Sequence, residues 1–158
     1  MKSYSARAPR TIDPAKKYAA VVKTVRGDFT IQLRPDIAVE TVNSFIFLAR
    51  DHFFDGIIFH RVEPGFVVQG GDPMGTGRGG PGYTVPAEFG NVPFDRGVVG
   101  MARSSDPNSG GSQWFVTLGQ ASHLNGQYTV FGQVTQGIEV VDCIAVGDAI
   151  VGIDIQEQ

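Results

Sequence analysis

The stretch Phe59–Asp72, FHRVEPGFVVQGGD, reads as two short strands joined by a turn at Glu63-Pro64-Gly65. Its alternating apolar residues are those of a buried wall, yet Arg61 and Gln69 stand within it. Long polar side chains rarely enter a core without partners, so these two are expected to face something other than the core.

The neighbouring sequence repeats the β pattern. YAAVVKTVRGDFTIQLRPD from Tyr18 gives two β-rich runs meeting at Arg26-Gly27-Asp28, a hairpin signal. Further runs follow in GIIFHRV, GFVVQ, GVVGMAR, SQWFVTLG, YTVFGQV and DAIVGIDIQ. One segment changes period: from Ala38 to Phe54 the apolar residues Val39, Val42, Phe45, Ile46, Leu48 and Ala49 fall at helical spacing. TQGIEVVDCIAVGD is long enough for a second, short helix, on which Cys143 reads as a small apolar filler. About eight strands with two helices exclude an alternating α/β fold. Patterning leaves two solutions open, a closed antiparallel barrel with a helix at each mouth or a two-sheet sandwich.

With 158 residues the chain is one domain, and its 21 glycines and 11 phenylalanines suit a β-rich body with tight corners. Residues 1–15 read as a flexible N-terminal arm and 16–158 as the folded domain. A net charge of −3 gives no basic footprint for nucleic acid or an anionic membrane. No run is long and apolar enough to span a bilayer, and the basic N-terminus lacks the apolar centre of a secretion signal. One cysteine allows no internal disulfide, so a cytoplasmic address is expected.

Several short patterns invite other chemistry and lack its context. GTGRGG, Gly75–Gly80, matches a dinucleotide fingerprint, but Asp72-Pro73-Met74 precedes it and Pro81-Gly82 follows, leaving no helix to receive a phosphate. A surface loop is expected instead. His52 reads as a helix-terminal cation and His60 as a buried or half-buried imidazole with a backbone partner. No histidine or cysteine pair has zinc spacing, and SGGSQ is not a nucleophile elbow, so no metal and no cofactor are expected.

The longer motifs are specific. FHRVEPGFVVQGGDPMGTGRGGPGY, then GVVGMARSSDPNSGGSQWFVTL, then LNGQYTVFGQV resemble the cyclophilin family of peptidyl-prolyl cis-trans isomerases, over roughly residues 17–157. The resemblance implies a closed eight-stranded antiparallel barrel capped by two helices, with the active groove on its outer wall. It implies that Arg61 is the catalytic arginine and that Gln69 orients it and bonds the substrate. Phe66, Phe115 and Leu124 would wall the proline pocket, and Ala102, Arg103 and Gln113 would line the groove. Val67 stands where many members have methionine, and Arg103 where many have asparagine. Tyr128 takes the place of a pocket histidine. His123 replaces a tryptophan used to bind cyclosporin, so weakened binding of that drug is expected. The implied partners are proline-containing peptides and unfolded or nascent proteins, served by a monomer that assists folding. The alternative reading is a binding module that docks one proline-containing partner.

Overall fold

A computed structural model describes residues 2–158; of the expected arm, Met1 lies outside the described residues. The strands are β1 Tyr18–Thr24, β2 Gly27–Leu33, β3 Phe59–Glu63, β4 Val67–Gly70, β5 Val98–Met101, β6 Trp114–Thr117, β7 Val130–Gln136 and β8 Ile150–Glu157. Helix α1 spans Val39–Arg50, α2 spans Ile138–Cys143, and one 3-10 turn covers Ser122–Leu124.

All eight strands form one sheet in the order β3-β4-β6-β5-β7-β2-β1-β8, antiparallel at every step. This excludes the sandwich, and it also corrects the expectation of a closed barrel. The sheet curls without a continuous ladder between its edge strands β3 and β8. That seam holds only the isolated bridge Ile58–Ala149 and a few backbone bonds, such as Phe59 N–H to Asp148 O at 2.9 Å and Ile150 N–H to Ile57 O at 2.8 Å. The reason is geometric. β3 has five residues and shifts register between Phe59 and Arg61, while β8 spends its length on β1.

Strand alternation builds two cores. Inside the curl, Phe29, Phe45, Phe59, Val68, Trp114, Val116 and Phe131 form the main cluster with the buried face of α1. On the outer face, Val67, Phe94, Val98, Phe115, Leu124 and Val130 form a second, smaller one. β4 and β6 serve both: Val68 and Trp114 point in, and Val67 and Phe115 point out. The indole nitrogen of Trp114 and Nδ1 of the half-buried His60 have no partner among the described residues, so the backbone bond expected for His60 is absent.

Helix α1 has no side-chain cap of its own. Glu88 from a distant loop accepts from Glu40 N–H at 3.0 Å and Thr41 N–H at 2.8 Å, supplying the acceptors that a helix start lacks. The helix stops before the expected Phe54. His52 adopts φ +61, with His52 N–H bonded to Ala49 O and Phe53 N–H to Leu48 O. That is a left-handed terminus of the kind glycine usually makes, so His52 lies past the helix and its ring meets Asp55 at 3.2 Å. α2 has only six residues; Val141 and the following Ile144 are buried, whereas Cys143 is exposed and fills no core position. Among the described residues no helix is long and apolar enough to cross a membrane.

Residues 2–15 have no regular structure and run along α1. Ile12 is buried in the main cluster, and Asn43 accepts from the Thr11 and Ile12 amides while donating to Pro9 O.

Candidate functional site

β3 and β4 pair so that Arg61 lies opposite Gln69, and β4 and β6 so that Gln69 lies opposite Phe115. Phe66 N–H closes the turn onto Glu63 O at 2.9 Å, with Gly65 at φ +76 supplying the left-handed residue. Three strands therefore present Arg61, Gln69 and Phe115 side by side on the outer wall, while Phe66 rises from the turn beside them.

The polar groups form a relay. Arg61 Nη1 points to Gln69 Oε1 at 3.4 Å, Gln69 Nε2 donates to Gln113 Oε1 at 3.1 Å, and Gln113 Nε2 donates to Gly79 O at 2.9 Å. The Arg61 guanidinium also lies 5.8 Å from the Phe66 ring centroid and bonds Glu63 at 2.5 Å. An amide whose orientation is fixed by two partners holds its own acceptor steady, so Gln69 restricts where Arg61 can aim.

The aromatic groups form a cup. Phe115 stacks on Phe94 at 5.6 Å and meets Tyr128 edge-on at 5.8 Å, and Phe66 faces His123 at 5.4 Å. Arg103 closes the side: its guanidinium lies 4.7 Å from the Tyr128 centroid and 5.7 Å from that of Phe89, and it donates to Gln127 O and Ser104 O. Arg61, Phe66, Val67, Gln69, Ala102, Arg103, Phe115, His123, Leu124 and Tyr128 surround one cavity of about 290 Å³.

Gln113 is the one predicted site residue outside that lining. It belongs to a larger neighbouring cavity of about 610 Å³, walled by the Gly77–Thr84 loop, Ser104, Ser109 and Ser112. The two cavities share Gln69, Ala102 and Arg103, so they make one continuous groove. No aspartate or glutamate lines either one, whereas Arg61, Arg78 and Arg103 do. With Arg61 paired to Glu63, Arg78 and Arg103 still leave the groove net positive in a chain of net charge −3.

The glycine loop is organised by a carboxylate of its own. Asp72, almost fully buried, accepts from the amides of Met74 at 2.8 Å, Thr76 at 2.9 Å and Gly77 at 2.5 Å. Burial alone would raise its pKa, but these bonds and one from Gly79 outweigh it, and the group lies below the usual carboxylate range. The amides that a phosphate would need are already spent, which disposes of the dinucleotide pattern.

Sequence reasoning missed three members of the site. Glu63 sits two residues from Arg61 on the same face, a strand-period signal that was available. Gly100 lies in the middle of β5, where glycine signals close approach; a Cβ there would fall 2.5 Å from Phe115 Cζ. Phe94 has no local signal: it precedes β5 in an irregular segment, tied to Asn125 Oδ1 through its N–H and to the Ala121 N–H through its carbonyl, and only the fold brings it behind Phe115.

Fold and candidate site together define an antiparallel β-protein with an aromatic, arginine-lined groove on the outside of a curled sheet. Residues 19–154 match the family model described as cyclophilin type peptidyl-prolyl cis-trans isomerase/CLD. The chain is 41% identical to a Synechococcus elongatus peptidyl-prolyl cis-trans isomerase, over 86% of this chain and 94% of that one. It is 47% identical to Bacillus subtilis peptidyl-prolyl cis-trans isomerase B, over 74% and 82% of the two chains. The crystal structure of a Cryptosporidium parvum cyclophilin type isomerase superposes with a TM-score of 0.83 at 29% identity, covering 90% of this chain and 99% of that one. The chain belongs to the cyclophilin-type peptidyl-prolyl cis-trans isomerase family.

Proposed function

We propose that this chain accelerates rotation about X-Pro bonds in unfolded or nascent proteins, with Arg61 as the donor that favours the twisted amide. The observation that carries the reading is convergence: a guanidinium steadied by Gln69 stands at the rim of a cavity whose walls are Phe66, Phe115, Leu124 and Tyr128.

Resonance in the X-Pro amide sets a rotation barrier of about 20 kcal/mol, or roughly 0.01 turnovers per second unassisted. Halfway through rotation the proline nitrogen loses conjugation and regains a lone pair. A permanently charged planar donor aimed at that nitrogen stabilises the twisted state more than either planar one. The aromatic cup would hold the pyrrolidine ring while the preceding carbonyl swings past it. No bond breaks, so the chemistry calls for no nucleophile and no metal. A related Cryptosporidium parvum isomerase has been crystallised in the presence of the dipeptide Ala-Pro, which supports a proline-containing ligand here.

A module that only docked a partner would need the cup but not a guanidinium poised over it, so turnover is the better reading. Arg61→Ala is expected to fold normally and to lose about a hundredfold in kcat/KM on a short X-Pro peptide, because one well-aimed donor is worth about 3 kcal/mol. An NMR exchange assay reads this directly, and wild-type turnover in the variant removes the mechanism. His123 offers a smaller surface than tryptophan opposite Phe66, so cyclosporin affinity is expected to be low. It should rise about two- to tenfold in His123→Trp, since one such aromatic contact is worth about 0.5–1.5 kcal/mol. A calorimetric titration with no gain refutes that expectation.

A further inference from the structure

The wall of the larger cavity is held from behind by the N-terminal segment. From Gly80 to Thr84 the only backbone hydrogen bond among the described residues comes from Tyr4, whose N–H donates to Pro81 O at 2.8 Å. Pro81, Gly82 and Tyr83 all line that cavity. Gly82 has φ +98, and a Cβ on it would collide with Tyr4 O and Ser3 Oγ. Loop and segment therefore lie back to back.

The segment is itself firmly seated. The Tyr4 ring wedges among Phe47, Phe53 and Tyr83 at centroid distances of 5.4, 6.2 and 6.3 Å. Its hydroxyl donates to Asp51 at 2.5 Å, Lys2 donates to Asp51 O, and Arg10 pairs with Glu40. Tyr83 is tied in turn to Ser44 of α1 at 2.7 Å. Asp72 fixes the loop as far as Gly79, and Gln113 holds Gly79 O. Beyond that point Val85 N–H bonds Gly110 O at 2.8 Å, and between these anchors the wall is held by Tyr4 and by the Ser44 bond to Tyr83.

We propose that Tyr4 is a positioning residue for the extended part of the peptide groove: it braces the Gly80–Thr84 wall and so determines how well the site holds substrate residues flanking the proline. The inference rests on the isomerase reading given above. The smaller cavity has no residue of the segment in its lining. The ring contacts and hydrogen bonds of Tyr4 run to Phe47, Asp51, Phe53, Pro81 and Tyr83 and to none of its lining residues, so a minimal ligand confined to it should not sense the brace. A longer extended peptide reaching past Gln69 and Arg103 into the second cavity should.

The test compares a blocked Ala-Pro dipeptide with a nine-residue peptide carrying one central Ala-Pro, both followed by NMR exchange. Tyr4→Ala is expected to keep kcat/KM on the dipeptide within about twofold while raising KM on the longer peptide about fivefold or more, with kcat unchanged. Tyr4→Phe, which keeps the wedge and loses only the Asp51 bond, should restore KM. NMR order parameters of Gly80, Gly82 and Tyr83 should fall in Tyr4→Ala and recover in Tyr4→Phe. Equal losses on both peptides, an unmoved KM on the longer one, or unchanged order in the wall overturns the proposal. Should Tyr4→Ala not fold, the milder Tyr4→Leu, which keeps apolar bulk and loses the ring, is judged by the same measurements. If the wild-type chain turns over neither peptide, the isomerase reading fails, and the brace is judged on the order parameters alone.

Discussion

Gly100 shows how far the site depends on side chains that are not there. It lies opposite Phe115 across β5 and β6, and a Cβ on it would stand 2.5 Å from Phe115 Cζ and 2.9 Å from Phe94 Cε1. The hydrogen of Gly100 thus lets the Phe115 ring lie flat on the sheet, with Phe94 stacked behind it. In Gly100→Ala the ring must tilt toward the cavity. Overpacking of this kind costs about 1–3 kcal/mol, and a displaced contact of about 1 Å in a positioning pocket lowers turnover tenfold or more. A lower urea midpoint together with at least tenfold lower kcat/KM is expected, and wild-type kinetics in a destabilised variant would show that the ring does not grip the substrate. That Arg61 and Gln69 stay out of the core was legible, because polar residues in an apolar run need a reason. The place of Phe94 was not, since the bonds that hold it beside Phe115 run to Ala121 and Asn125, distant in the chain.

The loop after β4 is an element built around one side chain. The Asp72 carboxylate gathers the amides of Met74, Thr76 and Gly77, and a Cβ on Gly79 would collide with it. In Asp72→Asn the amide nitrogen would replace one acceptor, leaving donors facing donors in a nearly closed site. Two unmet buried amides cost about 2–4 kcal/mol, so the denaturation midpoint should fall accordingly. A shift below about 0.5 kcal/mol, the range of ordinary surface changes, would mean that the loop holds itself together by other means. The loop itself was legible from Gly and Pro; its organising carboxylate was not, because a solvated aspartate and a buried one look alike in sequence. Elements with a strong period came through well, as α1 did from its apolar stripe. Their ends depended on distant partners: Glu88 starts α1, and the left-handed turn at His52 ends it at Arg50, four residues before the expected Phe54.

Closure of the sheet is a property of the whole chain, decided by how β3 and β8 divide their pairing, and no local pattern encodes it. Proton linkage is likewise a property of the whole fold. Burial, followed by the neighbouring Arg61 charge, holds the His60 pKa below its ordinary value, although Asp72 pulls the other way. The unfolded chain binds a proton at His60 near pH 6.5, and the native chain only at lower pH. Between those two values the unfolded state carries more protons, so stability falls as the pH falls through that window and is level above it. Asp72 acts in a second window. Its native pKa lies below the unfolded value of about 3.9, so its contribution is complete above that value and is lost as the pH drops through the native one. The exposed pairs Arg26–Asp148, Arg34–Asp36 and Arg96–Asp142 have the same sign but are screened by solvent and salt. Melting temperature is therefore expected to decline gently from about pH 7 to pH 5 and steeply below about pH 4. His60→Gln should flatten the first decline and leave the second, and Asp72→Asn should soften the second from a lower starting point. A wild-type melting temperature that stays level from pH 7 to pH 5, or a first decline that survives in His60→Gln, would show that the imidazole is as readily protonated in the folded chain as in the unfolded one.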